Sequence, residues 1–336
     1  MLAYIVRRLI GAVLVLLVIT AMVFIIFYEV PKLGGASSND LAARYVGKSA
    51  TQEQIEAAAE KLGLNDPIYV QYGNFLKGLF AGEDYDTGVG TDHCSAPCLG
   101  YSFQTQQPVL PDLMSRLPVT FSLAIGAAVI WLTLGVGTGV LSALRKGTVF
   151  DRAAMGVALA GVSLPIFFTG LLSLSVLSYR FGWFPGGGSY TPFHENPLNW
   201  AYDLFLPWVT LAFLYAALYA RLTRAGVLET MNEDYIRTAR AKGLPEKTVI
   251  GKHVMRSVLT PVLTTFGLDI GVLLGGAVLT ETTYSLPGLG SYTVQALGHN
   301  DLPKLLGVTL LLAIFVVFAN LIVDVLYAVV DPRVRL

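Results

Sequence analysis

Residues 9–28 read LIGAVLVLLVITAMVFIIFY, a run of twenty uncharged and mostly apolar residues that directly follows Arg7 and Arg8. A helix of this length, rising about 1.5 Å per residue, crosses a hydrocarbon core about 30 Å thick. A cleaved signal peptide is the alternative, but its apolar region has only about 7–15 residues and ends at a small-residue cleavage site. The run therefore predicts a membrane-spanning helix.

The composition of the whole chain agrees with a membrane protein. Its 336 residues are 54% hydrophobic and only 14% charged, against about 25% charged in an ordinary globular domain. Lys plus Arg and Asp plus Glu each number 23, so no basic excess indicates nucleic-acid binding. The same composition excludes an intrinsically disordered chain.

Five further apolar blocks have the length of membrane spans. They are Val119 to Leu144, Ala153 to Tyr179, Leu204 to Ala220, Val258 to Thr280 and Leu305 to Val330. The sequence therefore predicts an all-α integral membrane protein with six transmembrane helices.

Basic residues near the span ends predict the orientation, because short loops rich in Lys and Arg stay in the cytoplasm. With a cytoplasmic N-terminus, the short outer loops hold only Arg180 and Lys304. The inner segments then hold Arg7, Arg8, Arg145, Lys146, Arg152, eight basic residues between Arg221 and Arg256, Arg333 and Arg335. We therefore expect both termini in the cytoplasm and the segment after the first span outside.

That outer segment, residues 31–117, is predicted to fold into a small, mainly helical extracytoplasmic domain. Thr51 and Gln54 have the spacing of a capping box, and Gly63 suits a left-handed helix end. Asp66 is predicted to cap a second helix with Pro67 in its first turn. The apolar stripe of that helix can pack within this chain or on a partner; it comprises Ile68, Tyr72, Phe75, Leu76 and Leu79.

Both cysteines, Cys94 and Cys98, lie in the outer segment. Outside the cytoplasm two cysteines this close usually form a disulfide. A metal site that also uses His93 is the alternative, although no second pair of ligands follows. The predicted organisation is then residues 1–30 as the first transmembrane helix, 31–117 as the outer domain, and 118–336 as a five-helix core.

The sequence shows no catalytic, cofactor-binding or metal-binding constellation. The four histidines are scattered, and the metalloprotease, serine-hydrolase and phosphate-loop motifs are missing. The histidines are His93, His194, His253 and His299. The chain is therefore predicted not to be an enzyme, and any ATP would be bound by another subunit.

Carboxylates inside predicted spans are functional candidates, because a charge in the bilayer is unfavourable unless it faces protein or water. Asp269 lies in the middle of the fifth span and Glu281 at its outer end, and both are candidates for a translocation path. Asp324 lies in the sixth span. A hydrogen-bonded contact between helices is the alternative for each of them.

Glycines at intervals of four predict close helix packing. They occur in the fifth span at Gly267, Gly271 and Gly275, and in the second span at Gly135 and Gly139. Such spacing is common in helical bundles and indicates packing without indicating transport.

The longest inner loop, Arg221 to Ser257, is predicted to form a helix, a sharp turn and a second helix. Asp234 can cap the first helix, which runs through Lys242; Gly243 stops it, and Pro245 opens the next. This basic elbow can dock into a soluble partner, or it can rest on anionic lipid.

The stretch Asp234–Leu244, DYIRTARAKGL, resembles the cytoplasmic coupling loop of permease subunits in binding-protein-dependent ABC importers. The family signature Glu-Ala-Ala-x-x-x-Gly falls on Arg237, Thr238, Ala239 and Gly243. Only the second alanine and the glycine match, and the Arg-Thr-Ala form is similar to the first permease of dipeptide and oligopeptide importers.

The resemblance continues on both sides of the loop. Four further stretches are similar to the same branch: GLNDP at 63–67 followed by Gln71 and Tyr72, GGAV at 275–278 before Glu281, SLPGLG at 285–290, and the tail DPR at 331–333 with Asp324 and Tyr327. Two departures are an insertion over Glu83 to Cys98 and the charge at Asp269, where the branch more often has an uncharged polar residue.

The resemblance implies the type I ABC importer permease fold and ATP-driven import of dipeptides or oligopeptides by alternating access in the bacterial cytoplasmic membrane. The implied partners are a second homologous permease, two cytoplasmic ATPases that bind ATP and magnesium, an extracytoplasmic binding lipoprotein and membrane lipid. The implied coupling loop covers about residues 227–257, with ATPase contacts at Arg237, Thr238, Ala239, Arg240, Lys242, Gly243, Leu244 and Pro245.

Other functions stay open at this point. Similar permeases carry nickel chelates, glutathione and other small solutes. A membrane scaffold or sensor that does not transport is a second class. An intramembrane hydrolase is a weaker third, because no nucleophile and base stand at a suitable spacing.

Overall fold

The computed structural model describes residues 2–46, 51–86, 90–274 and 277–330, which are mainly helical. The α-helices are α1 (Leu2–Leu33), α2 (Ser38–Val46), α3 (Gln52–Lys61), α4 (Ile68–Ala81), α5 (Val109–Leu144), α6 (Val149–Ser163), α7 (Ile166–Ser173), α8 (Pro197–Thr230), α9 (Asp234–Ala241), α10 (Glu246–Thr248), α11 (Met255–Leu274), α12 (Val278–Thr283), α13 (Leu289–His299) and α14 (Leu302–Val330). Two π-helical segments cover Leu174–Arg180 and Val249–Val254. The strands are β1 (Glu83–Asp86), β2 (Thr91–Cys94), β3 (Tyr101–Ser102) and β4 (Gln107–Pro108).

The predicted spans correspond to long apolar helices. Within the described part of the chain, five helical stretches are long and apolar enough to cross a membrane: Arg7–Leu33, Val109–Leu144, Pro197–Thr230, Glu246–Leu273 and Leu302–Ile322. A sixth span results if the bent pair Val149–Ser163 and Ile166–Arg180 is counted as one. The prediction of a mostly helical membrane protein is confirmed.

The predicted third span is not a continuous helix. Its two halves are bent by 103° at Leu164 and Pro165. Leu164 has extended backbone angles, φ −88° and ψ 130°. The cause is Pro165, which lacks an N–H group and disfavours helical geometry in the residue before it. The expectation of one helix over Ala153 to Tyr179 was therefore wrong.

The chain divides into two compact units. The first consists of Met1–Ile5, Val119–Leu286 and Ala319–Leu336, and the second of Val6–Pro118 and Pro287–Phe318. In the first unit the apolar core surrounds the fully buried side chains of Trp131 and Tyr219. Its packing and polar contacts position the candidate functional residues.

Close packing of α5 against α8 in the first unit depends on glycines of α5. A Cβ atom on Gly135 would lie 2.8 Å from Cβ of Tyr219, and one on Gly139 would lie 2.7 Å from the carbonyl oxygen of Ala220. Real Cβ atoms do not approach so closely, so the helix backbones touch only because these side chains are missing. The predicted packing role of this glycine pair is confirmed.

A buried carboxylate ties the ends of three helices together in the first unit. Asp151 of α6 accepts hydrogen bonds from Nε and Nη2 of Arg224 on α8, at 2.7 and 2.9 Å. It also accepts from the Ser142 hydroxyl at the end of α5 and from the backbone N–H of Gly147. Asp151 is only 4% exposed, and such a two-point pair with arginine fixes both distance and orientation.

The second unit contains the predicted outer helices. Thr51 and Gln54 form the expected capping box, with hydrogen bonds of 2.9 and 3.3 Å. Gly63 has φ +60°, as expected for a left-handed helix end. The N-cap position of α4 is occupied by Pro67, whose side chain makes no capping hydrogen bond. The predicted capping role of Asp66 was therefore wrong.

The apolar stripe of α4 packs within this chain. The rings of Tyr72 and Phe75 lie 5.5 and 5.7 Å from the ring of Phe24 on α1. The Tyr72 hydroxyl is 2.9 Å from the hydroxyl of Thr20 on the same helix. Of the two alternatives for this stripe, the structure shows packing on the first apolar helix.

The region around the cysteines folds as an antiparallel hairpin of β1 and β2, in which Glu83 pairs with Cys94 and Asp84 with His93. Cys94 and Cys98 are joined by a disulfide, and both are buried. Nδ1 of His93 lies 2.6 Å from Oδ1 of Asp84. Within the described ranges no group of three or more potential metal ligands is present.

We expect the Gly139→Ala variant to be less stable than the native protein. The new Cβ would lie 2.6 Å from Cβ of Thr223 on α8. Overpacking of this kind lowers the free energy of unfolding by about 1–3 kcal/mol. The measurement is loss of the monodisperse chromatographic peak as the detergent-solubilised protein is heated.

The matched control is Gly137→Ala on the same helix, where a Cβ meets nothing within 4 Å. Alanine is a better helix former than glycine by about 1 kcal/mol, so this variant should be as stable as the native protein or slightly more so. Equal losses in the two variants would contradict the packing of α5 on α8.

Candidate functional site

A sharp elbow connects α8 to α11 within the first unit. It consists of α9, a turn at Gly243 with φ +76°, the single turn of α10, and the π-helical segment Val249–Val254. Only glycine adopts this left-handed geometry without a steric penalty. Pro245 stands at the N-cap of α10 with φ −64°, so the helix, turn and helix predicted for this loop are confirmed.

The ends of α9 differ slightly from the expectation. The N-cap is Glu233 and α9 ends at Ala241, with Lys242 as the C-cap. Asp234 lies inside the first turn, where its carboxylate faces Nη1 of Arg237 at 3.5 Å. The predicted capping role of Asp234 was wrong because the helix begins one residue earlier than its sequence pattern indicates.

One face of the elbow is anchored in the core of the first unit. Ile236 and Val249 are fully buried, and Ala239 is 7% exposed. A buried face fixes the elbow to the unit, because moving it would expose apolar surface. The elbow is therefore a rigid projection of the unit.

The opposite face of the elbow is open. The side chain of Arg237 is 70% exposed, and Thr238, Lys242 and Pro245 are exposed as well. Tyr235 and Leu244 add apolar surface, at 47% and 37% exposure. Isolated basic and apolar side chains on one rigid projection suit insertion into a groove of another protein.

An ion pair joins the two arms of the elbow. Nε and Nη2 of Arg240 donate hydrogen bonds of 3.1 and 2.6 Å to the carboxylate of Glu246. The hydrogen bond to Glu246 raises the pKa of Arg240 above its ordinary value. The pair connects the two arms directly. Sequence reasoning missed it, although two opposite charges six residues apart across a predicted turn were a usable indication.

Asp269 lies on α11 and is half-buried in the first unit. Its Oδ2 accepts a hydrogen bond of 2.7 Å from the Tyr219 hydroxyl of α8. Helices α8 and α11 are the two that the elbow connects. The partner Tyr219 was not found from sequence, because no local pattern indicates which residues of two distant spans face each other.

Glu281 has different surroundings. It lies on α12, is fully buried, and accepts a hydrogen bond of 2.7 Å from the hydroxyl of Thr120 on α5. The structure therefore encloses the carboxylate of Glu281 and leaves that of Asp269 partly open. The two predicted path residues contact different helices.

Other sequence candidates are placed as follows. Gly267 and Gly271 are buried on α11. Gly275 lies outside the described residues, as does the tail 331–333, and nothing is described of the Asp324 side chain.

A cavity of about 850 Å³ lies within the second unit. Aromatic and acidic side chains line it, among them Tyr45, Tyr101, Glu60 and Glu83. Burial, and next the hydrogen bond to Asp92, raise the pKa of Tyr101 to about 12. Its hydroxyl therefore stays protonated and donates to Asp92 at 2.5 Å.

The fold resembles that of a known transporter. An inward-facing structure of the MetNI methionine ABC transporter aligns with a TM-score of 0.52 and 18% identity, over 66% of this chain and 97% of that chain. At this identity the likeness shows the fold alone, the type I importer permease architecture expected from the sequence.

The sequence matches named transport proteins over its full length. A putative peptide transport system permease protein of Brucella abortus is 39% identical over 100% of this chain and 99% of its own length. The oligopeptide permease AppB of Bacillus subtilis is 37% identical over 100% of both chains. The dipeptide permease DppB of Alkalihalophilus pseudofirmus is 35% identical, also over 100% of both.

Two family models cover most of the chain. Residues 135–336 match the binding-protein-dependent transport system inner membrane component, and residues 1–124 match the N-terminal part of such membrane components. Together with relatives aligned from end to end, they show that the chain belongs to the family of inner-membrane permease components of binding-protein-dependent transport systems.

Proposed function

We propose that this chain is the transmembrane subunit of an ATP-driven importer that carries dipeptides or oligopeptides across the bacterial cytoplasmic membrane by alternating access. The observation that carries the proposal is the exposed, rigid elbow between α8 and α11. The names of the relatives, which are peptide, dipeptide and oligopeptide permeases, support the substrate class.

The proposed assembly contains a second, similar permease, two cytoplasmic ATPases and an extracytoplasmic binding lipoprotein. The ATPases bind ATP and magnesium, and this chain holds no cofactor and makes no covalent intermediate. The basic residues of the elbow and both termini face the cytoplasm, while residues 31–117 form the outer domain between the first helix, 1–30, and the core, 118–336. The excess of basic residues in the inner segments supports this orientation.

In this proposal the elbow transmits the movement of the ATPases to the membrane-spanning helices. Arg237, Lys242 and Leu244 contact a groove of the ATPase, and closure of the ATPase pair on ATP shifts the elbow. Since Ile236 and Val249 are buried in the unit, the shift is transmitted to α8 and α11. ATP biases the transport cycle only because the closed ATPases bind one permease state better than the other.

The proposed function is tested by uptake into vesicles. The complex of this chain with the second permease, the ATPases and the binding protein is reconstituted, and accumulation of labelled dipeptides and oligopeptides is followed with and without ATP. Peptide accumulation that requires both ATP and the binding protein supports the proposal. Uptake of a nickel chelate or glutathione but of no peptide would overturn the substrate class, and a lone homo-oligomer without ATPases would indicate a scaffold.

We expect Gly243→Val to uncouple ATP hydrolysis from uptake. The residue has φ +76° and a Cβ there meets nothing within 4 Å, so valine would be strained by its backbone and not by a clash. A left-handed conformation is unfavourable for such a residue by about 1–2 kcal/mol. The complex should assemble and hydrolyse ATP while peptide uptake is lost.

The control for Gly243→Val is Gly243→Asn, because asparagine tolerates the left-handed region. It should retain most of the native uptake. If valine transported as well as glycine, the turn would have no role in coupling.

The ion pair of the elbow gives a second prediction. Arg240→Glu places two carboxylates together and should lower the peptide taken up per ATP hydrolysed by about fivefold, which corresponds to about 1 kcal/mol, the upper value for an exposed pair. The double variant Arg240→Glu with Glu246→Arg restores the attraction and should recover the ratio. A double variant that is as poor as the single one would show that Arg240 acts through a partner other than Glu246.

A further inference from the structure

Among the residues that the structure describes, the carboxylate of Asp269 has no cationic partner. It lies within an apolar helical stretch, where a charge is unfavourable unless it meets water or a partner. No Lys, Arg or His of the described ranges lies within ion-pair distance of it. Its one described hydrogen bond comes from an uncharged donor, the Tyr219 hydroxyl.

The hydrogen bond from Tyr219 orients the carboxylate. Tyr219 is fully buried on α8 and donates to Oδ2 of Asp269 at 2.7 Å. The other oxygen, Oδ1, accepts no hydrogen bond from the residues that the structure describes. Asp269 is only half-buried, so the residue keeps part of its surface open to a group that comes from outside the chain.

Tyr219, which donates to the carboxylate, belongs to a cluster of aromatic rings. The Trp131 ring stacks on the Tyr215 ring at a centroid distance of 4.8 Å, and it lies 6.2 Å from Tyr219 and 6.1 Å from Phe266. Trp131 is fully buried, while Tyr215 and Phe266 keep part of their surface open. The cluster therefore has a buried floor and a partly exposed rim.

A carboxylate beside aromatic faces is a combination that recognises organic cations. Ring faces attract a cation, and Trp and Tyr do so best. Magnesium or calcium would need about six or more oxygen ligands, whereas this cluster offers one carboxylate and phenol oxygens. The chemistry favours a primary ammonium group over a hard metal ion.

The position of the cluster connects it to the elbow. Tyr215 and Tyr219 lie on α8, and Phe266 and Asp269 lie on α11. A movement of the elbow that changes the distance between these helices would open or close the contact between Tyr219 and Asp269. The affinity for a cation would then differ between the states of the permease, as alternating access requires.

We propose that Asp269, Tyr215, Tyr219 and Trp131 form a cation subsite on the translocation path and that it binds the α-ammonium group of the passing peptide. The inference rests on the proposed function and names the part of the peptide that the permease itself recognises. Asp269 and the open part of the Tyr215 ring contact the ammonium group. Tyr219 positions the carboxylate, and the buried Trp131 ring supports the Tyr215 ring on which it stacks.

The test uses the assembled permease and ATPase complex, without binding protein, labelled with 5-fluorotryptophan. The fluorine resonance of Trp131 is assigned by its loss in Trp131→Phe, and the complex is titrated with dialanine amide and with N-acetyl-dialanine amide, which differ in one cation. We expect dialanine amide to shift the Trp131 resonance saturably and N-acetyl-dialanine amide to leave it unchanged. Asp269→Asn should weaken this binding at least tenfold, Tyr219→Phe severalfold, and Asp269→Glu should retain part of it.

The matched control is Asp203→Asn, which removes a carboxylate of α8 whose described hydrogen bond comes from Thr191. It should bind dialanine amide like the native complex. Calorimetric titration of the same complexes gives a second measure that does not depend on the Trp131 assignment. Equal responses to both peptide amides, or unchanged binding in Asp269→Asn, would overturn the subsite.

Failure of the subsite and failure of the proposed function give different results. If native vesicles accumulate peptide but Asp269→Asn binds the amide like the native complex, the import function stands and the subsite falls. If native vesicles accumulate no peptide under ATP, the proposed function falls and the subsite, which rests on it, falls as well.

Discussion

Every peptide group that enters a bilayer must be hydrogen-bonded within the protein, because lipid offers no partner and an unpaired group is unfavourable by several kcal/mol. This requirement makes the long apolar blocks helical. It also explains the break at Leu164 and Pro165, where the Leu164 N–H still bonds to Ala160 and the proline nitrogen has no hydrogen to satisfy. The chain changes direction inside an apolar block without leaving a buried donor at the proline.

Within these helices, a few polar contacts select which spans meet. Arg224 on α8 reaches Asp151 on α6, and Tyr219 on α8 reaches Asp269 on α11. Helix α8 is therefore the element to which both neighbours are attached by charge-assisted hydrogen bonds. Because α8 and α11 also continue into the elbow, a displacement applied at the elbow acts on the helices that carry these polar contacts.

Features set by local chemistry could be predicted from the sequence, and features set by long-range pairing could not. The spans, the Thr51 capping box and the left-handed turns at Gly63 and Gly243 follow from composition or from a few adjacent residues. The partners of Asp269 and Glu281 are 50 and 161 residues away, and no local pattern identifies such pairs. The errors at helix starts are shifts of one residue: the N-cap of α4 is Pro67 and not Asp66, and that of α9 is Glu233 and not Asp234.

The close contact of α5 with α8 has a consequence for evolution. Gly139 faces the β-carbon of Thr223 and the backbone of Ala220, so the volume available at position 139 is set by its neighbour and by an immovable carbonyl. A larger residue at 139 can be accommodated only if the helix axes separate, since shrinking the residue at 223 leaves the carbonyl in place. Glycine at 139 should therefore be retained across homologues whatever residue stands at 223.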